Sequence, residues 1–340
     1  VSDYGAGISI SQNGIRILKH LDIYDEILST SSNPQKAVFF SNDKKITSFD
    51  IDVITTSRRV LYKFLYNKYL SIDGEILFDH ELCDVSIDKL ELKFSGGQVY
   101  KVKHIAACDG IKSICRKKID YHKEPVYSGY SVWRAIVEKK QKNTHTFLGP
   151  NHHIVTYPIS DSKISFVAAI KTSKKYKESW KSSGTFEELK NDLIFSNKNF
   201  YSFINEETPL FKWGVYIRPH IENIKSNNLT LLGDSAHPIV PFIGQGGCLA
   251  LEDAYIFGNL LIKYDSDISK TQNAYKALRI KRIKKIANMS LRQGHLNHIS
   301  NPIIVFLRNL VMRYLPLLAM RSVRENIWNY DPEEEIRNFK

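Results

Sequence analysis

The chain has 340 residues, 43% of them apolar and 25% charged. Those proportions allow two or three globular domains and exclude a disordered, collagen-like or disulfide-stapled protein. Lys and Arg outnumber Asp and Glu by 48 to 36, giving a net charge of +12 with no run of five like charges, which favours small anionic partners over nucleic acid.

In chain order, Gln12-Asn13-Gly14 leads into apolar residues at Ile15, Ile17, Leu18, Leu21 and Ile23, a helical spacing. Strands are predicted at Ala37–Phe40 and Ile46–Ile51. A helix starting near Ser57, its N-cap, would place Leu61, Phe64, Leu65 and Tyr69 on one face. From Glu75 to Ala107 apolar residues alternate (Ile76, Phe78, Val85, Ile87, Leu90, Leu92, Phe94), with a turn at Gly96-Gly97. The last of these strands runs into Cys108-Asp109-Gly110 and a polar helix.

The stretch from about Tyr121 to Lys212 differs. It is rich in aromatics, with strands expected at Tyr130–Val137, His152–Pro158 and Ile164–Ile170 and helices at Phe186–Asn197 and Phe200–Ile204. It reads as an antiparallel sheet domain inserted into the first. Leu229–Leu232 is a short buried strand ending at Gly233, Cys248–Ile262 a long buried helix, and Thr271–Leu296 a polar, basic one. Asn301–Ala319 is an apolar helix interrupted by Arg308, Arg313 and Pro316, too broken for a membrane span. Cys83, Cys108, Cys115 and Cys248 form no CxxC pair, and no His/Cys cluster has zinc spacing, so no metal is expected. Scattered cysteines and the lack of a signal-peptide pattern point to the cytoplasm.

The most informative stretch is Leu232-Gly233-Asp234-Ser235-Ala236-His237-Pro238, then Pro241-Phe242-Ile243-Gly244-Gln245-Gly246-Gly247, then Glu252-Asp253. A strand ending at Gly233 leaves Asp234 at the carboxyl edge of a sheet, where it can accept hydrogen bonds from sugar or ribityl hydroxyls. Gly244, Gly246 and Gly247 let the backbone approach a flat ligand. A helix beginning there aims its first N–H groups at that ligand and favours negative charge. His237 reads as a loop histidine that fixes the turn.

The string GDSAHPIVPFIGQGGCLALEDA resembles the Gly-Asp motif of class A FAD-dependent aromatic monooxygenases, the para-hydroxybenzoate and salicylate hydroxylase family. ACDGIKSICR (Cys108 to Arg116) resembles the family's Asp-Gly motif, SRRVLYKFL its Arg-x-x-Leu helix, and YGAGISISQNGIRIL the segment beside the flavin ring. YSGYSVWRAIV and YPIS are similar to the salicylate-hydroxylase branch. The resemblance covers essentially the whole chain.

It implies an α/β fold: an FAD-binding Rossmann-like, three-layer domain with an inserted antiparallel substrate sheet and C-terminal helices. The expected segments are 1–120 (FAD-binding, first part), 121–212 (substrate sheet), 213–275 (FAD-binding, return) and 276–340 (helical). It implies FAD contacts from Gly7, Ile8, Arg58, Asp109, Asp234, Pro241, Gly244, Gln245, Gly246 and Gly247, and substrate contacts from Trp133, Arg134 and Tyr157. NADH or NADPH would reduce FAD, and a C4a-hydroperoxyflavin would pass one oxygen from O2 to an aromatic phenol or carboxylate. The catalytic base is not identified. The family opens with a strand, GxGxxG and a helix. This chain shows no such unit, so a further segment of about 30 residues is expected before Val1. Two other readings stay open: a quinone-precursor hydroxylase in peripheral contact with a membrane, and a non-catalytic remnant.

Overall fold

The structure is a computed structural model that describes residues 7–120, 124–177, 182–193 and 203–339. The first third runs β1 (Gly7–Ser11), α1 (Gln12–His20), α2 (Tyr24–Ser29), β2 (Lys36–Ser41), β3 (Lys44–Asp50), β4 (Val53–Ser57) and α3 (Arg58–Ser71), then β5 (Leu82–Ser86), β6 (Glu91–Phe94), β7 (Val99–Lys101), β8 (Ile105–Ala107) and α4 (Ile114–Ile119). The middle holds β9 (Val126–Glu138), β10 (Thr144–Gly149), β11 (His152–Pro158), β12 (Lys163–Lys171), β13 (Ser183–Gly184), α5 (Phe186–Asp192) and β14 (Leu210–Ile217). The last part holds β15 (Lys225–Ser226), β16 (Leu229–Leu231), α6 (Gly246–Lys263), α7 (Ile268–Asn297), α8 (Pro302–Tyr314), α9 (Pro316–Val323) and α10 (Pro332–Asn338).

Contacts divide the chain into two compact units. One comprises Val1–Lys68, Tyr127–Val215 and Leu291–Tyr330; the other comprises Tyr69–Val126, Tyr216–Ser290 and Asp331–Lys340. This division cuts across the segment 1–120 expected from the sequence. The reason is pairing: β2 and β3 complete an eight-stranded sheet ordered β13-β14-β9-β12-β11-β10-β2-β3. β2 lies parallel to β10, while β10, β11, β12 and β9 pair antiparallel in turn.

The register sorts side chains between the two faces of that sheet. Trp133 stands opposite Ala168, which stands opposite Ile154; these join Ala135, Phe166, Leu189 and Leu193 in one buried cluster. Trp133 has no exposed surface, and its indole N–H donates to Asp192 of α5 at 2.8 Å. On the other face, Arg134 stands opposite Val167, and Ser165 opposite Tyr157. That face meets β1, which pairs antiparallel with β4: the Gly7 N–H donates to Ser165 Oγ at 3.3 Å.

In the second unit, β8 and β16 lie parallel in a sheet ordered β15-β16-β8. Both are short: β16 is buried throughout, whereas β8 buries Ile105 and Ala107 and exposes Ala106. Their core includes Ile105, Leu229, Leu231, Ile256, Phe257, Leu260 and Tyr275. A separate meander, β5-β6-β7, packs β5 against α4. The predicted helices near Ser57, Cys248, Thr271 and Asn301 are all present; Ser57 Oγ accepts the Val60 N–H at 3.2 Å, as a cap should. The α3 face, however, has no buried residue. The strand expected around Ile76 and Phe78 does not form; both residues are exposed in irregular backbone, and among the described residues no strand pairs with them. The expected helix Phe186–Asn197 is described as far as Asp192, and the start of Phe200–Ile204 lies outside the described residues.

Trp133→Ala should cost about 3–5 kcal/mol of unfolding free energy, as loss of a fully buried indole does, measured by urea denaturation.

Candidate functional site

Two motif loops leave the second unit's sheet from the carboxyl ends of its parallel strands, Cys108-Asp109-Gly110 after β8 and Leu232-Gly233-Asp234 after β16. In open α/β sheets that edge is where ligands bind. The loops are tied to one another. Leu232 N–H donates to the Ala107 carbonyl at 2.9 Å, and Ser235 Oγ donates to the same carbonyl at 2.7 Å. Arg116, fully buried at the end of the Asp-Gly motif, donates to the carbonyls of Ala236 (3.3 Å) and His220 (3.0 Å) and pairs with Asp120 at 3.2 Å.

The Gly-Asp loop turns at Gly233, whose φ of +59° suits glycine. Its neighbours Leu232, Ser235, Ala236 and His237 are buried, but Asp234 is exposed. One buried carboxylate holds this turn. Asp253 Oδ2 accepts the Gly233 N–H at 2.8 Å and lies 2.6 Å from His237 Nε2, while Oδ1 accepts from Arg279 Nε at 2.7 Å. Burial alone would raise the Asp253 pKa. The His237 and Arg279 partners and the Gly233 amide outweigh it and bring the carboxyl down to about 2. Next to it, Glu252 accepts from Arg279 and Arg282, each at 2.7 Å. His237 is thus the turn-fixing histidine the sequence suggested.

Beyond the loop, Ser290 of α7 donates to the Val240 carbonyl at 2.6 Å and anchors the proline stretch. The loop then reaches Gly244 at φ +65°, exposed; a Cβ there, or at Gly246, would meet nothing within 4 Å. Helix α6 starts at Gly246 with buried Gln245 as N-cap, no side-chain cap bond and no acid in its first turn. Half-buried Pro241 precedes this cradle. Asp234 and Gly244 thus lie on one continuous loop that leads into an 18-residue helix whose first residues are Gly246 and Gly247. An exposed carboxylate, open glycine backbone and a helix N-terminus without a side-chain cap suit a ligand with hydroxyls, a flat ring and developing negative charge.

Asp109 is exposed, and its Oδ2 accepts the Cys115 N–H at 3.1 Å, so it helps start α4. The Cys115 thiol is pushed up to about 12, first by burial and then by Asp109, and Cys108 is raised first by burial and then by Asp253. Neither is a nucleophile near neutral pH.

The remaining expected residues lie in the first unit. Gly7 is packed: a Cβ would sit 2.7 Å from Ser165 Cβ and 2.8 Å from Tyr157 Cε2. Close packing accounts for glycine there. Ile8 is half-buried in β1, and Arg58, exposed, opens α3. Arg134 and half-buried Tyr157 share the sheet face that meets Gly7, and the Arg134 guanidinium stacks over Trp213 at 5.2 Å. Trp133 does not join them. It faces the opposite side of the sheet and is core, which corrects its assignment to the pocket. Sequence reading missed Arg279 and Arg282; their three-residue spacing on a helix opposite Glu252-Asp253 was the available signal.

A parallel βα edge carrying this loop defines a flavin- or nucleotide-binding α/β protein. A family described as FAD binding domain matches residues 5–288. The chain belongs to that FAD-binding family, as its resemblance to class A FAD-dependent monooxygenases implied. A 3-amino-4-hydroxybenzoate 2-monooxygenase of Streptomyces platensis is 28% identical over 220 residues, 62% of this chain. The match spans 55% of that relative, little more than half its length. Among solved structures, Klebsiella pneumoniae HpxO complexed with FAD and uric acid superposes with a TM-score of 0.81 at 20% identity, covering 95% of this chain and 87% of that one. A salicylate hydroxylase substrate complex gives 0.81 at 20% identity over 98% and 90%. These likenesses establish the fold.

The low Asp253 pKa sets a pH dependence. A carboxyl that titrates lower in the folded state than in the unfolded chain, near 3.9, stabilises above about pH 4 and loses that stability as pH falls towards 2. Asp253→Asn should flatten the acid limb of stability by about 2 kcal/mol over that window, followed by denaturant midpoints at each pH.

Proposed function

We infer that this protein binds FAD at the Gly-Asp loop and, with NADH or NADPH as co-substrate and O2, hydroxylates a small aromatic phenol or carboxylate. The observation that carries the reading is the exposed Asp234 beside open glycine backbone and the start of α6, which has no side-chain cap. Bound FAD would supply the electron transfer and oxygen activation. The chain's own part is placement and charge. Asp234 accepts hydrogen bonds from ribityl hydroxyls, and Gly244 and Gly246 leave room for a flat ring. The first amides of α6 offset negative charge on the ring's pyrimidine end.

Gly7, Ile8, Arg58, Asp109, Pro241, Gln245 and Gly247 are proposed as further FAD contacts. Arg134 and Tyr157, on one face of the large sheet, are the proposed aromatic-substrate residues. The net charge of +12 suits an anionic substrate. By their names, two of the relatives above act on an aminohydroxybenzoate and on salicylate, and HpxO forms a complex with uric acid; all three support a small, electron-rich ring. No disulfide joins Cys83, Cys108, Cys115 or Cys248, in keeping with a cytoplasmic location. Among the described residues no helix is long and apolar enough to cross a membrane.

The test is an FAD titration followed by flavin fluorescence quenching. Asp234→Ala should raise the FAD Kd about tenfold or more, since a charge-assisted hydrogen bond contributes about 1.5–3 kcal/mol. Unchanged affinity would remove Asp234 from the site.

A further inference from the structure

Helix α8 is built inside out. Asn301 caps it, accepting the N–H groups of Ile303 (3.0 Å) and Ile304 (3.3 Å), and Pro302 stands at its first position. No residue of the helix is buried. Ile303 is 71% exposed, Phe306 64% and Tyr314 68%; Ile304, Leu307, Leu310 and Val311 are exposed as well. At 100° per residue these seven side chains fill an arc of about 160°. The other side carries the half-buried Val305, Arg308, Asn309 and Met312. Arg308 is engaged there, donating to the Leu296 carbonyl at 3.0 Å and to Asn309 Oδ1 at 3.0 and 3.2 Å. A water-exposed helix normally has the reverse arrangement.

The surroundings of this apolar face are cationic. α8 packs on β3, and Arg313 Nη2 reaches the Lys45 carbonyl at 3.5 Å. Lys44, Lys45 and Arg313 are exposed at the rim, with Asp43 the acid in the adjoining turn. A cavity of about 290 Å³ opens beside the first turns, with Phe306, Arg308 and Asn309 in its wall. A seven-residue apolar strip with a basic rim matches a helix lying in a lipid interface among anionic headgroups. A symmetric dimer through this face is a poorer match, because an isologous contact brings the same rim of Lys44, Lys45 and Arg313 against its own copy.

We propose that the outward face of α8 docks this protein peripherally on an anionic phospholipid surface. Seven apolar side chains enter the interface, and the Lys44, Lys45 and Arg313 rim meets the headgroups. The test is flotation of the full chain with phosphatidylcholine vesicles, with or without about one-third phosphatidylglycerol. Wild type should float with the anionic vesicles. Ile303→Ser/Leu307→Ser/Leu310→Ser keeps every charge and alters only exposed positions; it should float about tenfold less or weaker still, with an unchanged circular dichroism spectrum. Lys44→Glu/Arg313→Glu should lose the preference for phosphatidylglycerol. Equal flotation of the triple variant and wild type would mean that bulk positive charge suffices, and would overturn the proposal. So would failure of wild type to float, whether or not sedimentation equilibrium reveals a dimer that the triple variant abolishes.

Discussion

The Asp253 carboxylate is the constraint on which the candidate site depends. It is wholly buried, yet it accepts from a backbone amide and a guanidinium and lies within hydrogen-bond reach of an imidazole. A buried charge is tolerated only when partnered this fully. Its partners span the loop and a distant helix. Gly233 starts the turn, His237 ends it, and Arg279 comes from α7, whose Tyr275 and Gln272 also bond to β16. The turn therefore cannot relax without exposing or orphaning a buried ion. That rigidity presents Asp234 outward from a loop whose neighbouring residues are inside, which is the preorganisation a cofactor site requires.

The second tie is Arg116. It links the helix after β8 to the loop after β16 by donating to the Ala236 carbonyl, and it gives the His220 carbonyl a donor as well. Burial pulls its pKa down, and Asp120 opposes that pull. The two motif loops thus behave as one piece, although they lie far apart along the chain. β8 and β16 are adjacent and parallel, so their exits share one edge.

Much of this is legible in the sequence, because local signals and tertiary demands agree there. The Gly-Asp loop, the start of α6 among glycines and the turn role of His237 follow from residue types at fixed spacing. The antiparallel strands β9, β11 and β12 follow from alternation. What is not legible depends on partners distant in sequence. Trp133 reads as a pocket aromatic, but sheet register assigns it to the α5 side and Arg134 to the other. The need for glycine at position 7 comes from Tyr157 and Ser165, which fill the space a side chain would take. Ile76 and Phe78 alternate like a strand, yet among the described residues no strand pairs with them. β2 and β3 belong with β10 because of hydrogen bonding that no local pattern encodes.

If FAD sits against the Gly-Asp loop and the first turn of α6, amide hydrogen exchange with and without added FAD will register it. Added FAD should slow exchange at residues 233–236 and 244–249 and leave the β5-β6-β7 meander unchanged. Protection confined to other segments, or none at the α6 start in the presence of bound FAD, would contradict that placement.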